Sequence, residues 1–291
     1  MSTPPQQPPL PAAKPAEDEA EIRIVSHSNL FYWWPVWAVG LLMGVLTYAS
    51  QHYMVVVPND ATAARGSNVE FEKKPGETTT YKGRDVVVLP EGQKLPTPDT
   101  DHPERPSKLH MATQGTFGVI FLITLLLVIV ITNVPLRGMW SVVVIVTIIL
   151  LSIIFGLAGW WEKIIHALQL LDIRINAAGY FFVSLILFAI WLITFVFFDR
   201  QMYMIFTPGQ LKVRTEIGGG EKAYDTTGMT VEKQRSDLFR HWILGLGSGD
   251  LVVSTTGAGV HHFDLPNVLF IGKKVQQIED MLREKAVVKG R

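Results

Sequence analysis

Residues 245–253 read GLGSGDLVV. Three glycines alternate with other residues just ahead of an apolar run, a pattern that admits two readings. One is a phosphate cradle. A dinucleotide fingerprint needs G-x-G-x-x-G after a strand and at the start of a helix, so that phosphate meets the helix N-terminus. Gly245, Gly247 and Gly249 give G-x-G-x-G instead, the following DLVVSTT is β-branched and strand-like, and no Walker lysine follows. The other reading is geometric: LFRHWIL crosses an edge of a β domain, and the glycines permit a tight reversal with positive φ. Ser248 fails as a nucleophile elbow, because Leu246 and Asp250 stand where G-x-S-x-G requires glycine. No catalytic constellation and no cofactor are expected.

Outward from this turn the pattern is that of short strands. MYMIFT, Pro208-Gly209, LKVRTEI and Gly218–Gly220 read as strand, turn, strand, turn. Leu211 and Val213, and in the extension Ile217, alternate with Lys212, Arg214 and Glu216, as a half-buried strand requires. KAYDTT and MTVEKQ give two more strands around Gly228, and DLVVSTT turns through Gly257–Gly259 into VHHFDL. The chain then ends in a helix from about Leu269 to Lys285. Its Ile271, Val275, Ile278 and Leu282 form one apolar stripe that must pack on the sheets.

The runs YMIFTPGQLKVRTEI, YDTTGMTVEKQRSDLFRHWILGLGSGDLVVSTT and FDLPNVLFIGKKVQQIEDML resemble bacterial membrane-anchored PH-like (pleckstrin-homology-like) domains. The resemblance covers about residues 199–286. It implies a β-barrel capped by the C-terminal helix, and it implies self-association. The small members of that family carry two spans before the domain; this chain has more, and a sizeable loop besides.

The rest of the 291 residues is dominated by membrane-like segments. Residues 30–50, 115–134, 138–161 and 180–198 contain no Asp, Glu, Lys, Arg or His, and each is close to the ~20 residues that cross a bilayer as a helix. Seven of the eight tryptophans fall in these spans, and Trp33, Trp34, Trp140, Trp160 and Trp161 cluster near their ends, where indole rings settle at headgroup level. Four crossings put both termini on one side. Arg137 and Arg200 mark that side as cytoplasmic by the positive-inside rule, and the resemblance points to a bacterial inner membrane.

The expected organisation is therefore an α+β membrane protein. A Pro-rich, acidic, disordered tail covers 1–29, and an extracytoplasmic loop covers 51–114, with short strands at Val55–Val57, Val69–Phe71 and Val86–Leu89. That loop has too few apolar residues for a core of its own. An interfacial amphipathic helix spans 162–179, built on Ile164, Ile165, Leu168, Leu171 and Ile175, with a packed connector as the other reading. The PH-like domain fills 199–291.

Charge excludes some partners and suggests others. Lys plus Arg and Asp plus Glu both number 26, so nothing argues for nucleic acid, and no small-molecule substrate is predicted. The absence of cysteine excludes disulfides, thiolate metal sites and cysteine nucleophiles. His261 and His262 point to opposite faces of a strand and cannot easily share a metal ion. Residues 200–291 carry thirteen basic and ten acidic groups. Lys212, Arg214, Lys233, Arg235 and Arg240 are candidate contacts for anionic headgroups or a partner, with an ordinary solvated surface as the alternative. Trp242 beside Phe239 and Ile243 reads as a plug for the barrel, or else as an exposed contact wedge. Gly40 and Gly44 form a small-xxx-small pair suited to close helix packing within or between chains. The expected function is a non-enzymatic membrane scaffold or assembly protein acting on membrane lipids, a protein partner or a second copy. The alternative is a subunit or regulator of a transport or lipid-handling complex.

Overall fold

Strand alternation and helical runs place the elements, and the computed structural model describes them over residues 21–74, 76–96, 109–134, 136, 138–214, 219–226, 228–235, 237–255 and 260–289. The Pro-rich stretch 1–20, Arg137, Glu216, Ile217, Gly218, the turn 257–259 and residues 97–108 of the loop lie outside the described residues. In chain order the elements begin with β1 (Ile22–Val25), a 3-10 turn (Asn29–Trp33) and α1 (Trp34–Ala49). The loop carries β2 (Tyr53–Met54), β3 (Thr62–Lys74), β4 (Glu77–Val88) and β5 (Leu109–His110). Helices α2 (Thr116–Asn133), α3 (Met139–Leu157), α4 (Trp160–Leu170) and α5 (Ala177–Ile193) follow. Then come β6 (Tyr203–Phe206), β7 (Gln210–Arg214), β8 (Lys222–Asp225), β9 (Thr230–Gln234), β10 (Gly249–Thr255), β11 (His261–Val268) and α6 (Ile271–Lys289).

Among the described residues, four helical segments are long and apolar enough to cross a membrane: Asn29–Ala49, Thr116–Asn133, Met139–Leu157 and Ala177–Gln201. Their 18 to 25 residues give roughly 27–38 Å at 1.5 Å per residue, enough for a ~30 Å hydrocarbon core. Of α3 only Ser141 is buried, while Ile148, Ile149, Ile153 and Leu157 stand open. Apolar surface of that extent suits a lipid solvent, not water, and the chain is compatible with an integral membrane protein. The third span is shorter than expected because Gly159, at φ 67°, turns the chain between α3 and α4. The amphipathic helix is shorter too: α4 stops at Leu170, and none of its residues is buried.

The chain divides into two compact units, 39–122 with 163–184, and the remainder. In the first, Gly40 and Gly44 face α5 at close range. A Cβ on Gly40 would collide with Ser184 Oγ and come within 2.8 Å of Phe121, and one on Gly44 would lie 3.1 Å from Phe181 and 3.2 Å from Tyr180. Both glycines therefore pack within the chain. The loop is a long, bulged β3–β4 ribbon rather than three short strands. Val55–Val57 are not in a strand; only Tyr53–Met54 pairs, with Leu109–His110, and the His110 ring makes tilted contacts with Tyr48 and Tyr53.

In the second unit β1, β6, β7 and β8 form one antiparallel sheet, and β11, β10 and β9 form another. Both are small, and among the described residues no ladder joins them into a closed barrel. They share one core, in which Ile24, Phe206, Leu211, Leu251, Leu265, Ile271 and Ile278 are fully buried. The α6 stripe packs there as its spacing requires. The expectation of a tail reaching residue 29 is corrected over 22–29: IRIV pairs with β6 in the register Ile22↔Phe206 to Val25↔Tyr203, and Ile24 enters the core. LFRHWIL likewise does not cross an edge. It belongs to the loop between β9 and β10, which pair with each other, and Phe239–Leu244 form a π-helical turn.

Gly40→Leu forces a branched side chain into the contact with Ser184 and Phe121 and should cost about 1–3 kcal/mol. Gly209→Ala, where nothing lies within 4 Å, should change the unfolding free energy measured in detergent by no more than about 0.5 kcal/mol.

Candidate functional site

The chemistry-bearing side chains of the second unit gather where the first and fourth candidate spans meet the sheets. β1 runs into the first span and β6 leaves the fourth, so their pairing fixes the two helix ends side by side. A π-helical turn at Thr194–Phe198 and a 3-10 turn at Asp199–Gln201 lead from α5 into β6. Rings fill the space between: Trp191 stacks on Phe195 at 5.2 Å and 4°, Phe31 lies 6.0 Å from Phe195, and Trp37 lies 4.9 Å from Phe188. Trp191 Nε1 donates to the Phe31 carbonyl at 3.0 Å, and the Ser28 amide donates to Asp199 Oδ1 at 3.1 Å.

A buried polar network continues from there into the sheets. Tyr32, fully buried, places its hydroxyl 3.0 Å from Ser248 Oγ and donates to Asn267 Oδ1 at 2.9 Å. Asn267 Nδ2 donates to the His27 carbonyl at 2.8 Å and to Asn29 Oδ1 at 3.2 Å. The Asn267 amide donates to Asp250 Oδ1 at 3.0 Å, and Arg240 Nη2 donates to Asp250 Oδ2 at 3.1 Å. Asp237 accepts the Arg240 amide at 3.0 Å, and His241 Nε2 lies 3.4 Å from Asp250. Trp34 Nε1 donates to the Leu244 carbonyl at 2.9 Å, and Ser26 Oγ to the Pro266 carbonyl at 2.8 Å. Burial pushes the Asp250 carboxyl up, but the hydrogen bonds from His241 and the Asn267 amide, with the His241 and Arg240 charges, outweigh it and hold the group below the usual range.

The glycine turn is shaped to admit this network. A Cβ on Gly245 would lie 2.7 Å from the Arg240 carbonyl and 2.8 Å from the Tyr32 ring, and one on Gly249 would lie 2.9 Å from the Gln234 carbonyl. Gly247, at φ 84°, makes the reversal. The turn therefore serves close approach of neighbouring groups. Ser248 is buried with its Oγ against the Tyr32 hydroxyl, and the arrangement positions these groups, while His241 Nδ1, Arg240 Nε and Asp199 Oδ2 are buried without a hydrogen-bond partner.

The five basic candidates do not form one patch. Lys212 and Arg214 stand on β7, with Lys212 Nζ 3.9 Å from Glu221, and Lys233 is exposed on β9 in the other sheet. Arg235 donates to the Gly247 carbonyl at 3.1 Å with its guanidinium 5.9 Å from the Trp242 ring. Arg240 is corrected from a headgroup contact to a network member, because its side chain is only 11% exposed between Asp237 and Asp250. Of the two readings of Trp242, barrel plug or exposed contact wedge, its 61% exposure fits the second. His262 Nδ1 pairs with Ser254 Oγ at 2.8 Å, whereas His261 lies 5.2 Å from Tyr224. Tyr32, Asn267, Asp250 and His241 escaped sequence reasoning; the Tyr32–Asn267 pair is separated by 235 residues. Compared with family models, curated proteins and solved structures, the chain matches none.

Tyr32→Phe leaves Ser248 and Asn267 each short of a partner and should cost about 1–3 kcal/mol in denaturant unfolding of the full chain. His27, buried against Phe31 and Phe195, has its pKa lowered to about 4, chiefly by burial, with the Lys274 charge adding and the Asn267 backbone opposing. The unfolded imidazole takes its proton near 6.5 and the folded one only near 4, so stability is complete above the first value and falls as pH drops toward the second. The loss should approach about 3 kcal/mol in a pH series of unfolding midpoints, and His27→Leu should flatten that part of the curve.

Proposed function

We propose that the chain is a non-enzymatic, multi-pass scaffold or assembly protein of a bacterial inner membrane, presenting a PH-like domain on the cytoplasmic side. Seven short antiparallel strands in two sheets over a C-terminal amphipathic helix support the PH-like reading, as do the motifs of residues 199–286. Its first strand comes from before the first span, so the domain is tied to two membrane segments instead of one.

The observation that carries the scaffold reading is the buried joint. A domain fastened to its membrane helices by Tyr32, Asn267, Ser28 and Trp34 holds a fixed orientation. Its strand edges and open side chains are then offered in one direction to a protein partner, a second copy or the membrane surface. Fixed presentation suits assembly, where complementary surfaces must meet in register.

Purification of the full chain in mild detergent, with the mass of the particle and the copy number of each associated chain measured, tests this. A stoichiometric homo-oligomer or a defined partner complex is expected. A monomer without partners overturns the reading.

A further inference from the structure

Trp242, Ile243 and Leu246 are 61, 56 and 64% exposed in the β9–β10 loop, while His241 and Leu244 between and beside them are buried. The loop thus turns one apolar face outward and one inward. Open apolar residues gathered in one loop call for an occupant.

The same loop is fastened to the start of the first candidate span. Leu244 accepts from Trp34 and Ser248 pairs with Tyr32, and both partners lie in Asn29–Ala49, near its first residue. Adjacent Cα atoms are about 3.8 Å apart, so Ile243 and Leu246 lie within about 8 Å along the chain of a backbone group held at the mouth of that span. For a helix that spans a bilayer, that end would lie at headgroup level. A second turn meets the same requirement: Phe270, 58% exposed, lies three residues beyond Asn267, which bonds His27 and Asn29. Leu246 and Phe270 both have positive φ, 50° and 51°, an uncommon conformation for large side chains. Arg235, with its guanidinium 5.9 Å from the Trp242 ring, adds a cation beside the indole, the composition that settles at a bilayer interface.

We propose that Trp242, Ile243, Leu246 and Phe270 insert into the headgroup–acyl boundary of the membrane that the chain itself spans, with Arg235 at the lipid phosphates. The inference rests on the membrane-anchored reading above and selects the lipid surface as the contact of this face. The domain is then held on the bilayer by two loops as well as by its two continuous helices. Lys212 and Lys233 stand on β7 and β9, outside both loops.

The chain has no cysteine, so single labels can be placed without background. Nitroxides at Ile243→Cys, Leu246→Cys and Lys222→Cys are compared in full-length protein reconstituted in vesicles of phosphatidylcholine and phosphatidylglycerol. Collisions with oxygen, which partitions into acyl chains, are measured against those with a polar nickel chelate. The oxygen-to-nickel ratio at 243 and 246 should exceed that at 222 severalfold. Equal ratios at the three sites overturn the proposal. So does exclusion of both reagents with spin–spin broadening, which would place a second copy on the loop. The unmodified chain supplies an independent reading: hydroxyl-radical oxidation of Trp242 in vesicles should be strongly suppressed, and a rate equal to that of a free tryptophan amide overturns the proposal. Particle mass from the same samples reads the scaffold function separately, because lipid contact in a monomer would leave this inference standing and remove that one.

Discussion

The β1–β6 ladder constrains everything else in the unit that holds the sheets. Each strand is nearly continuous with a candidate span, and the pair Val25↔Tyr203 sits at the helix end of the ladder. The residues before the first candidate span and after the fourth therefore lie beside one another. Only 26–28 separate β1 from the turn that begins the first span, and only Met202 separates the fourth span, which ends at Gln201, from β6. Connections that short leave little slack, so the sheets and the helix ends behave as one body.

Closing that joint brings backbone and side-chain polar groups out of water. A buried donor or acceptor left unpaired costs about 1–3 kcal/mol, more than an ordinary hydrogen bond contributes. That asymmetry explains why Asn267 is tied at both ends of its amide and at its backbone, to Tyr32, His27, Asn29 and Asp250. Its φ of 56° belongs to the left-handed region, which asparagine enters more readily than most residues. The glycines at 245 and 249 have the complementary task. They remove side-chain bulk where Tyr32 and the Gln234 carbonyl come closest.

Much of the layout was legible because it is local. Four uncharged runs of about twenty residues need no partner to be recognised, and alternation in LKVR or the β-branched run in DLVVSTT marks a strand by itself. The glycine pattern marked a turn, and close approach at Gly245 and Gly249 with a positive φ at Gly247 gives it that geometry. What stayed hidden depends on distance in sequence. IRIV is four residues long and follows a Pro-rich, acidic stretch, and only its pairing with β6, about 180 residues away, makes it a strand. The charge on Arg240 looked like surface charge until Asp237 and Asp250 enclosed it. Trp242 carries the same letter whether it plugs a core or stands open, and only the turn geometry decides between them.

The distribution of apolar and polar groups in this unit inverts along one direction. In α3 nearly every apolar side chain is open and Ser141 is the buried one, as a helix in lipid allows. In β10 the alternation is that of a water-soluble sheet, with Leu251 and Val253 at 0% exposure. Between these regimes sit Ser26, Asp199, His241, Ser248 and Asn267, all buried and polar. A junction between two solvents cannot be closed by apolar packing alone, because backbone groups at the strand and helix ends still need partners. Side-chain amides, hydroxyls and carboxylates supply them here, and their directional bonds fix orientation where oil-like contacts would tolerate rotation. Displacement of the sheets relative to the ends of the first and fourth helices is therefore opposed by specific hydrogen bonds.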